Sequence, residues 1–484
     1  ESLLLGLLGG VAGFLLAWSG FSALVALAPR VPTFQPHALR VDTQVFIFSL
    51  LASLFVSILF GLIPAMRASR KGSNELLRAG RGVQGGLRDR AARSLLVMGE
   101  VALAVALMIA SGLLVRSLRN LQTDPLGYSP DHLLMTGFCC LDMAHYPGQR
   151  DINAFYRQLS GRLQSLPGVE SIASTTVLPL RSFDGGGTPI LIQGRPVPAP
   201  GNEELSDFRV VGNAYFSTLK IPLLRGRDFT EQDDDEHAQV ALINDAFRRR
   251  YFQDKEPLGQ QVQIVNHVPF GRWFNVIGVV TDSRDRGLGK EIRPTIYLTV
   301  QQNDVRGTMM MVRTKADPMT MAANVRRTML SVKSDLFIGR TSTMDDMLAD
   351  SLSPQRFSVV LLSLFTGIAV GLALVGVYGV ISYSVAQRTH EIGLRMALGA
   401  QPRDMLRLVI GQGLRLVLTG TAVGLAAAMA ATQLMTNLLF GVSARDPLTA
   451  VLVCTAAVAV ALMACYVPAR RAMRVDPMIA LRYE

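Results

Sequence analysis

His390-Glu391 opens as a zinc-protease helix does, with a potential ligand beside a potential general base. The second imidazole of such a site is missing, because Leu394 stands at the fifth position and no ligand pair forms. Gly287-Leu288-Gly289-Lys290 suggests a phosphate cradle, but it lacks the glycine spacing and the Ser or Thr after the lysine. Binding and hydrolysis of ATP in the P-loop manner are therefore excluded. The acidic run Asp233-Asp234-Asp235-Glu236 has no glycine-turned ligand loop around it and reads as a solvated loop. Gly185-Gly186-Gly187 reads as a flexible turn. Cys139 and Cys140 are adjacent, where a mutual disulfide is strained. Cys454 and Cys465 lie in an apolar stretch as packing residues, and no metal-ligand spacing is present. No nucleophile is placed with a base, which leaves a membrane-anchored hydrolase without a constellation.

What surrounds these residues is apolar. The chain has 484 residues, 49% of them hydrophobic and 18% charged, with mean hydropathy +0.31. That mixture fits membrane helices plus a polar domain. Six apolar stretches, at 2–27, 45–64, 94–115, 357–385, 416–440 and 447–467, are long enough to cross a bilayer as helices. The net charge of +11 does not point to nucleic acid. Its basic residues cluster in short segments at the ends of the stretches: Arg67 to Arg93 after the second, Arg388 to Arg407 after the fourth, Arg470 to Arg482 after the sixth. Simple alternation puts all three on one side, the cytoplasmic side by the positive-inside rule, and residues 120–353 outside. The chain opens at Glu1 without a basic n-region, so its first stretch does not read as a signal peptide and the chain reads as part of something longer.

The stretches 94–121 and 354–386 exceed a bilayer's thickness as helices, either as stalks toward the outer block or through tilt. The outer block reads as α/β. A helix at 152–166 and a strand at 171–178 lie at one end. A strand at 308–312, a helix at 318–330 and a strand at 336–341 lie at the other. Between them, 185–297 reads as an inserted, mainly β subdomain with alternation at 262–265 and 274–280. Glu100 is the exceptional ionisable group inside a membrane stretch, near its cytoplasmic end, and a carrier driven by protons or sodium would need more.

The ends of the second and sixth stretches repeat. Pro64-Ala65-Met66-Arg67-Ala68 matches Pro468-Ala469-Arg470-Arg471-Ala472, and Gly9/Gly13 of the first stretch match Gly420/Gly424 of the fifth. The first two stretches thus look like a copy of the last two. With Gly6/Gly10 and Gly367/Gly371, these small-residue pairs read as helix-packing positions.

The most specific segment is Arg388-Thr389-His390-Glu391-Ile392-Gly393-Leu394-Arg395-Met396-Ala397-Leu398-Gly399-Ala400, on the basic side. Ile392, Met396 and Ala397 or Gly399 share one face of a short helix, with Leu394 and Leu398 beside them. Glu391 and Arg395 pair at i,i+4 on the other face, and Gly399 is placed to end the helix. Such a helix either lies in the membrane interface or docks into a groove on a cytoplasmic partner.

This segment, the two stretches after it and Pro468-Ala469-Arg470-Arg471-Ala472 resemble the FtsX/MacB-type permeases of ABC transporters. The outer block resembles the MacB periplasmic core domain in Tyr215-Phe216-Ser217-Thr218-Leu219-Lys220-Ile221-Pro222-Leu223-Leu224-Arg225-Gly226-Arg227-Asp228-Phe229, in Pro257-Leu258-Gly259 and in Val276-Ile277-Gly278-Val279-Val280. The duplication is similar to that of tandem-module orphan permeases, which carry no ATPase. The resemblance implies a membrane α-helical bundle with one α/β periplasmic domain bearing the inserted β subdomain. The parts are the last two helices of a truncated first module at 1–66, a basic linker at 67–93 and a stalk helix at 94–121. The periplasmic core at 122–353 and the permease domain at 354–484 follow.

It also implies that Glu391, Ile392, Gly393, Leu394, Arg395, Met396, Ala397, Leu398 and Gly399, within a coupling helix at 388–400, contact a separate ABC ATPase. Arg470, Arg471 and Arg474 would make a second contact, with Arg67–Arg78 as its repeat partner. ATP and Mg would sit on that ATPase, with no cofactor, metal or catalytic residue in this chain. Other implied partners are the lipid bilayer and a second permease module or periplasmic adaptor. The expected place is the bacterial inner membrane and the expected work is efflux or mechanotransmission. A non-transporting scaffold or sensor is the alternative, and stimulation of ATP turnover by a transported compound separates the two.

Overall fold

The computed structural model describes residues 2–27, 44, 46–48, 50–55, 58, 87–180, 187–253, 255–265, 271–398, 401–434, 440–442 and 446–473. Two compact units emerge, Thr123–Leu352 and Glu1–Gln122 with Ser353–Glu484. Among the described residues the α-helices of five residues or more are α1 (Ser2–Leu27), α2 (Leu87–Thr123), α3 (Gln149–Gln164), α4 (Tyr215–Leu219), α5 (Pro318–Val332), α6 (Met344–Gln387), α7 (Thr389–Ala397), α8 (Pro402–Leu434) and α9 (Pro447–Ala472).

Among the described residues of the helical unit, four helices are long and apolar enough to cross a membrane: Ala91–Thr123 of α2, Met344–Gln387 of α6, Arg403–Ala431 of α8 and Pro447–Arg471 of α9. Leu7–Gly20 and Phe46–Phe55 are shorter apolar helical stretches, and the rest of the expected stretch 45–64 lies outside the described residues. α8 starts well before the expected stretch at 416. Gln401 and Asp404 exchange hydrogen bonds there (Gln401 N to Asp404 Oδ2 3.2 Å, Asp404 N to Gln401 O 2.9 Å), a cap that apolar periodicity alone does not reveal.

The bundle core joins Val97, Val101, Val105 and Leu113 of α2, Ala373, Val377 and Ile381 of α6, Met405, Val409 and Val417 of α8 and Ala457 and Ala461 of α9. With lipid as apolar as these side chains, close backbone approach must supply the attraction. A Cβ at Gly420 would lie 2.9 Å from Val101 Cβ and 3.0 Å from Met98 O, and one at Gly424 would lie 2.9 Å from Val105 Cβ. Hydroxyls bond across the α2–α6 seam, Thr366 Oγ1 to Leu107 O at 3.2 Å and Ser111 Oγ with Ser363 Oγ at 3.1 Å. Gly424→Leu is expected to force α2 off α8 and cost about 1–3 kcal/mol or more, read as a lower thermal midpoint in detergent. Gly367→Leu, at a site where a Cβ meets nothing among the described residues, should leave that midpoint unchanged.

Among the described residues the other unit holds one twelve-stranded sheet: β1 (Leu133–Cys139), β2 (Val169–Thr175), β3 (Thr188–Ile192), β4 (Glu204–Val211), β5 (Leu223–Gly226), β6 (Val240–Asn244), β7 (Gln261–Ile264), β8 (Trp273–Val280), β9 (Thr295–Thr299), β10 (Thr308–Thr314), β11 (Phe337–Ile338) and β12 (Ser342–Thr343). β11, β1, β10 and β2 run as an antiparallel plate. α3 and α5 bury Ile152, Phe155, Leu159, Val325 and Met329 in the same core as Leu134, Phe138 and Met310 of the plate. β4, β3, β7, β8, β6 and β9 pair in turn, and β9 pairs back with β4, so six strands close into a ring. All five residues of β6 and of β9 are buried, as strands covered on both faces require. A single pair, Thr175 with Val211, joins plate to ring in the sheet ladder.

Cys139 and Cys140 are disulfide-bonded to each other. Cys140 takes a left-handed φ of 75°, which turns the chain as it leaves β1. Gly185 and Gly186 lie outside the described residues, and Gly187 has φ 88°.

Candidate coupling site

α6 ends at Gln387 and α7 begins at Thr389, so one residue, Arg388, makes the corner. Its N–H donates to Val385 O (3.1 Å), its carbonyl accepts from Ile392 N (2.8 Å), and the Thr389 hydroxyl reaches Val385 O (3.1 Å). The corner is thereby fixed to the membrane bundle. Ile392 is buried in the same core as Met405 and Val409, and Met396 packs partly buried against it. These two residues form the inward face that their spacing predicts.

Leu394 and Leu398 do not join them. They are 45% and 80% exposed, on the side that carries Glu391 and Arg395. The expected placing of the two leucines beside the apolar face is thus corrected, because i,i+3,i+4,i+7 spacing gathers 391, 394, 395 and 398 on one stripe. Glu391 Oε1 and Arg395 Nη2 lie 2.7 Å apart, both about half exposed (49% and 47%), so the pair contributes at most a few tenths of a kcal/mol and mainly orders the surface. Ala397 is exposed, and Leu398 N closes the helix on Leu394 O at 3.0 Å. Gly399 and Ala400 lie outside the described residues, and Gly393 lies within α7. Arg470 and Arg471 are exposed in the last turn of α9, where cations suit the helix dipole; Arg474 lies outside the described residues.

At the other end of the bundle, Arg116 of α2 pairs with Asp446, which also caps α9 through Thr449 N (3.1 Å) and the Thr449 hydroxyl (2.6 Å). That hydroxyl, then Arg116, hold the Asp446 carboxyl below the usual range. Ser117 Oγ accepts from Phe440 N at 2.8 Å, and Asn120 Nδ2 donates to Gly441 O at 3.1 Å. The α8–α9 turn is therefore tied to α2.

In the sheet unit, the segment that follows α2 is held by Arg313, which is buried, and Arg284, which is partly buried. Arg313 of β10, 2% exposed, donates Nε to Thr218 O (2.7 Å), Nη1 to Asp131 O (2.6 Å) and Nη2 to Ser129 O (2.8 Å). Burial lowers its pKa from the ordinary arginine value. Arg284 Nη2 grips Asp124 at 2.9 Å, and Arg284 N donates to Leu126 O at 2.9 Å. Gly127 has φ 77°, and a Cβ there would run into the Asp282 carbonyl. Behind this segment Arg209 of β4 faces Asp285, Nε to Oδ2 3.2 Å, both nearly fully buried. Tyr297, opposite Arg209 in the β4–β9 register, donates its hydroxyl to Asp285 at 3.2 Å. Burial, then the Asp285 charge, push the Tyr297 and Tyr215 phenols up. Sequence reading missed Arg209, Asp285 and Arg313, since a lone arginine in a strand pattern looks the same whether buried or solvated.

The MacB-like periplasmic core domain matches residues 94–328. The FtsX-like permease C-terminal domain matches residues 363–477. Curated relatives are the macrolide export ATP-binding/permease proteins MacB of Mannheimia succiniciproducens, 26% identical over 59% of this chain and 45% of that one, and of Chromobacterium violaceum, 28% identical over 57% and 43%. The chain spans less than half the length of these relatives. The periplasmic region of MacB from Actinobacillus actinomycetemcomitans overlays at 19% identity and TM-score 0.31, covering 48% of this chain and 95% of that one. The family assignment rests on the two domain matches. The chain belongs to the MacB/FtsX-type permeases, membrane components of ABC transporters.

Proposed function

We propose that this chain couples ATP hydrolysis on a separate ATPase to movement of its periplasmic core domain, in efflux or mechanotransmission at the bacterial inner membrane. The observation that carries the reading is the α7 stripe. Ile392 and Met396 lock the helix into the bundle while Glu391, Leu394, Arg395 and Leu398 are left outward on a rigid corner. A mixed charged and apolar face on a fixed helix suits a partner's groove. Arg470 and Arg471 supply a second cationic contact, and Arg474 with Arg67–Arg78 would extend it. ATP and Mg belong to the partner, and the chain itself catalyses nothing. The stretches 2–27 and 45–64 serve as two further spans, giving six, from a truncated first module. The six-stranded ring is the inserted β subdomain, and α2 and α6 act as stalks. The anchoring of residues 124–131 by Arg284 and Arg313 supports this, since a stalk works only if its end is held.

The test is co-purification with candidate ABC ATPases from the same membrane. Leu398→Asp, at an exposed position, is expected to reduce retained ATPase at least tenfold with the chain's own thermal midpoint unchanged. Retention at wild-type level by Leu398→Asp and by Glu391→Ala/Arg395→Ala would remove α7 from the contact. Retained ATPase whose turnover no transported compound stimulates favours the scaffold or sensor.

A further inference from the structure

The chain leaves β1 on a short bend. Phe138 is buried, Cys139 half-buried, Cys140 exposed and Leu141 buried again. Leu141 N donates to Arg306 O at 2.9 Å as the chain returns to the core. Cys140 makes the bend at φ 75°, a conformation uncommon for a residue that carries a Cβ. The disulfide to Cys139 closes both side chains and the peptide between them into one small ring, which holds that backbone where it is.

One edge of β1 carries residues 337–343, the segment that leads into α6. Phe337 lies opposite Cys139, Ile338 opposite Phe138, Ser342 opposite Met135 and Thr343 opposite Leu134. Between them Gly339 N donates to Gly137 O at 2.8 Å, and Thr341 Oγ1 donates to Thr136 Oγ1 at 3.1 Å. Cys139 is thus the outermost rung of this ladder, and Phe337 beside it is 70% exposed. On the other edge of β1 the packing is close, since a Cβ at Gly307 would lie 3.0 Å from Cys139 Cα. A change at Cys139 is therefore passed to the β11 side.

We propose that Cys139–Cys140 is a thiol-exchange site whose substrate is a dithiol reductant, and that its redox state sets whether residues 337–339 stay on β1. The site is independent of the ATPase contact at α7. An oxidising compartment keeps the pair as the disulfide. One thiolate of the reductant attacks Sγ of Cys140, the exposed partner; the S–S bond breaks and Cys139 leaves as a thiolate. The reductant's second thiolate attacks the mixed disulfide and Cys140 leaves in turn. The reductant departs as its own disulfide, two electrons pass to this chain, and two protons complete the thiols. With the ring open Cys140 relaxes to negative φ and Cys139 turns with it. The outer rungs at Phe337 and Ile338 then release, while those at Ser342 and Thr343 hold.

The experiment uses the full chain in lipid nanodiscs, treated with dithiothreitol and then with N-ethylmaleimide. Mass spectrometry is expected to find both cysteines of the 139–140 peptide alkylated while Trp273 emission, in a Trp18→Phe background, keeps its native wavelength. Hydrogen exchange at 337–339 should rise at least tenfold, and at 342–343 less than twofold. Cys139→Ser/Cys140→Ser should exchange fast at 337–339 with or without dithiothreitol. Cys139→Ser/Cys140→Gly should stay slow, because glycine takes a positive φ freely and needs no ring to hold it. Alkylation that waits for a shift in Trp273 emission overturns the proposal. So does reduction that leaves exchange at 337–339 unchanged, or a glycine variant as fast as the serine one.

Discussion

Asp285→Ala is expected to remove a large fraction of the stability of this permease's sheet unit. The substitution strips the Arg209 guanidinium, 2% exposed, of its ion-pair partner and leaves the Tyr297 hydroxyl with the Ser283 hydroxyl alone. Removing one partner of a buried pair costs about 3–5 kcal/mol, against a total stability of about 5–15 kcal/mol for a typical domain. Arg209→Met should be nearly as damaging, since it leaves Asp285 charged and buried. The joint Arg209→Met/Asp285→Leu variant removes both charges and should cost less than either single change. The chain has two tryptophans, Trp18 and Trp273. Trp273 lies in β8, so its fluorescence in a Trp18→Phe background follows this unit alone. A double variant no more stable than the singles would show that the charges are not a pair.

The second large effect belongs to Arg313. Arg313→Met withdraws three donors from the carbonyls of Thr218, Asp131 and Ser129. The buried Thr218 carbonyl left alone costs about 1 kcal/mol or more, and the partly buried Asp131 and Ser129 carbonyls cost less because water can reach them. Arg313→Lys keeps the charge but offers a compact ammonium in place of a planar fork, and should recover only part of the loss. Because two of the carbonyls lie in the segment after α2, hydrogen exchange at residues 128–132 should rise in Arg313→Met before the plate itself opens. Unchanged protection there would mean that Ser129 N to Leu219 O, at 2.9 Å, holds the segment by itself.

These arginines mark the limit of what the residues disclosed in advance. Apolar runs and α/β alternation were readable because burial imposes period and composition. The strands at 262–265 and 274–280 appear as Gln261–Ile264 and Trp273–Val280, and the helices at 152–166 and 318–330 appear as Gln149–Gln164 and Pro318–Val332. The start of α8 was not readable, since its first turns carry Arg403 and Arg407 and a polar cap instead of an apolar face. Ring closure was hidden too, because the β4–β9 pairing joins strands over eighty residues apart and leaves no local pattern. At α7 the spacing disclosed the inward face, Ile392 and Met396. It could not say which side of the helix Leu394 would take, because that depends on how α7 leaves α6 at Arg388.

The closed ring has a consequence for how this unit can meet other proteins. A strand whose neighbours are both present offers no backbone groups to an incoming chain, so recognition by strand addition is shut off around most of the sheet. Among the described residues the open borders are β5, four residues long and bent by Gly226 at φ 76°, the two-residue β11 and β12, and the stretch Val169–Ala173 of β2, which pairs with β10 on one side and meets the ring only at Thr175. The first three are too short to zip onto a partner's edge. Strand addition to this unit is therefore confined to the free side of β2, and elsewhere a partner must be held by side chains and loops.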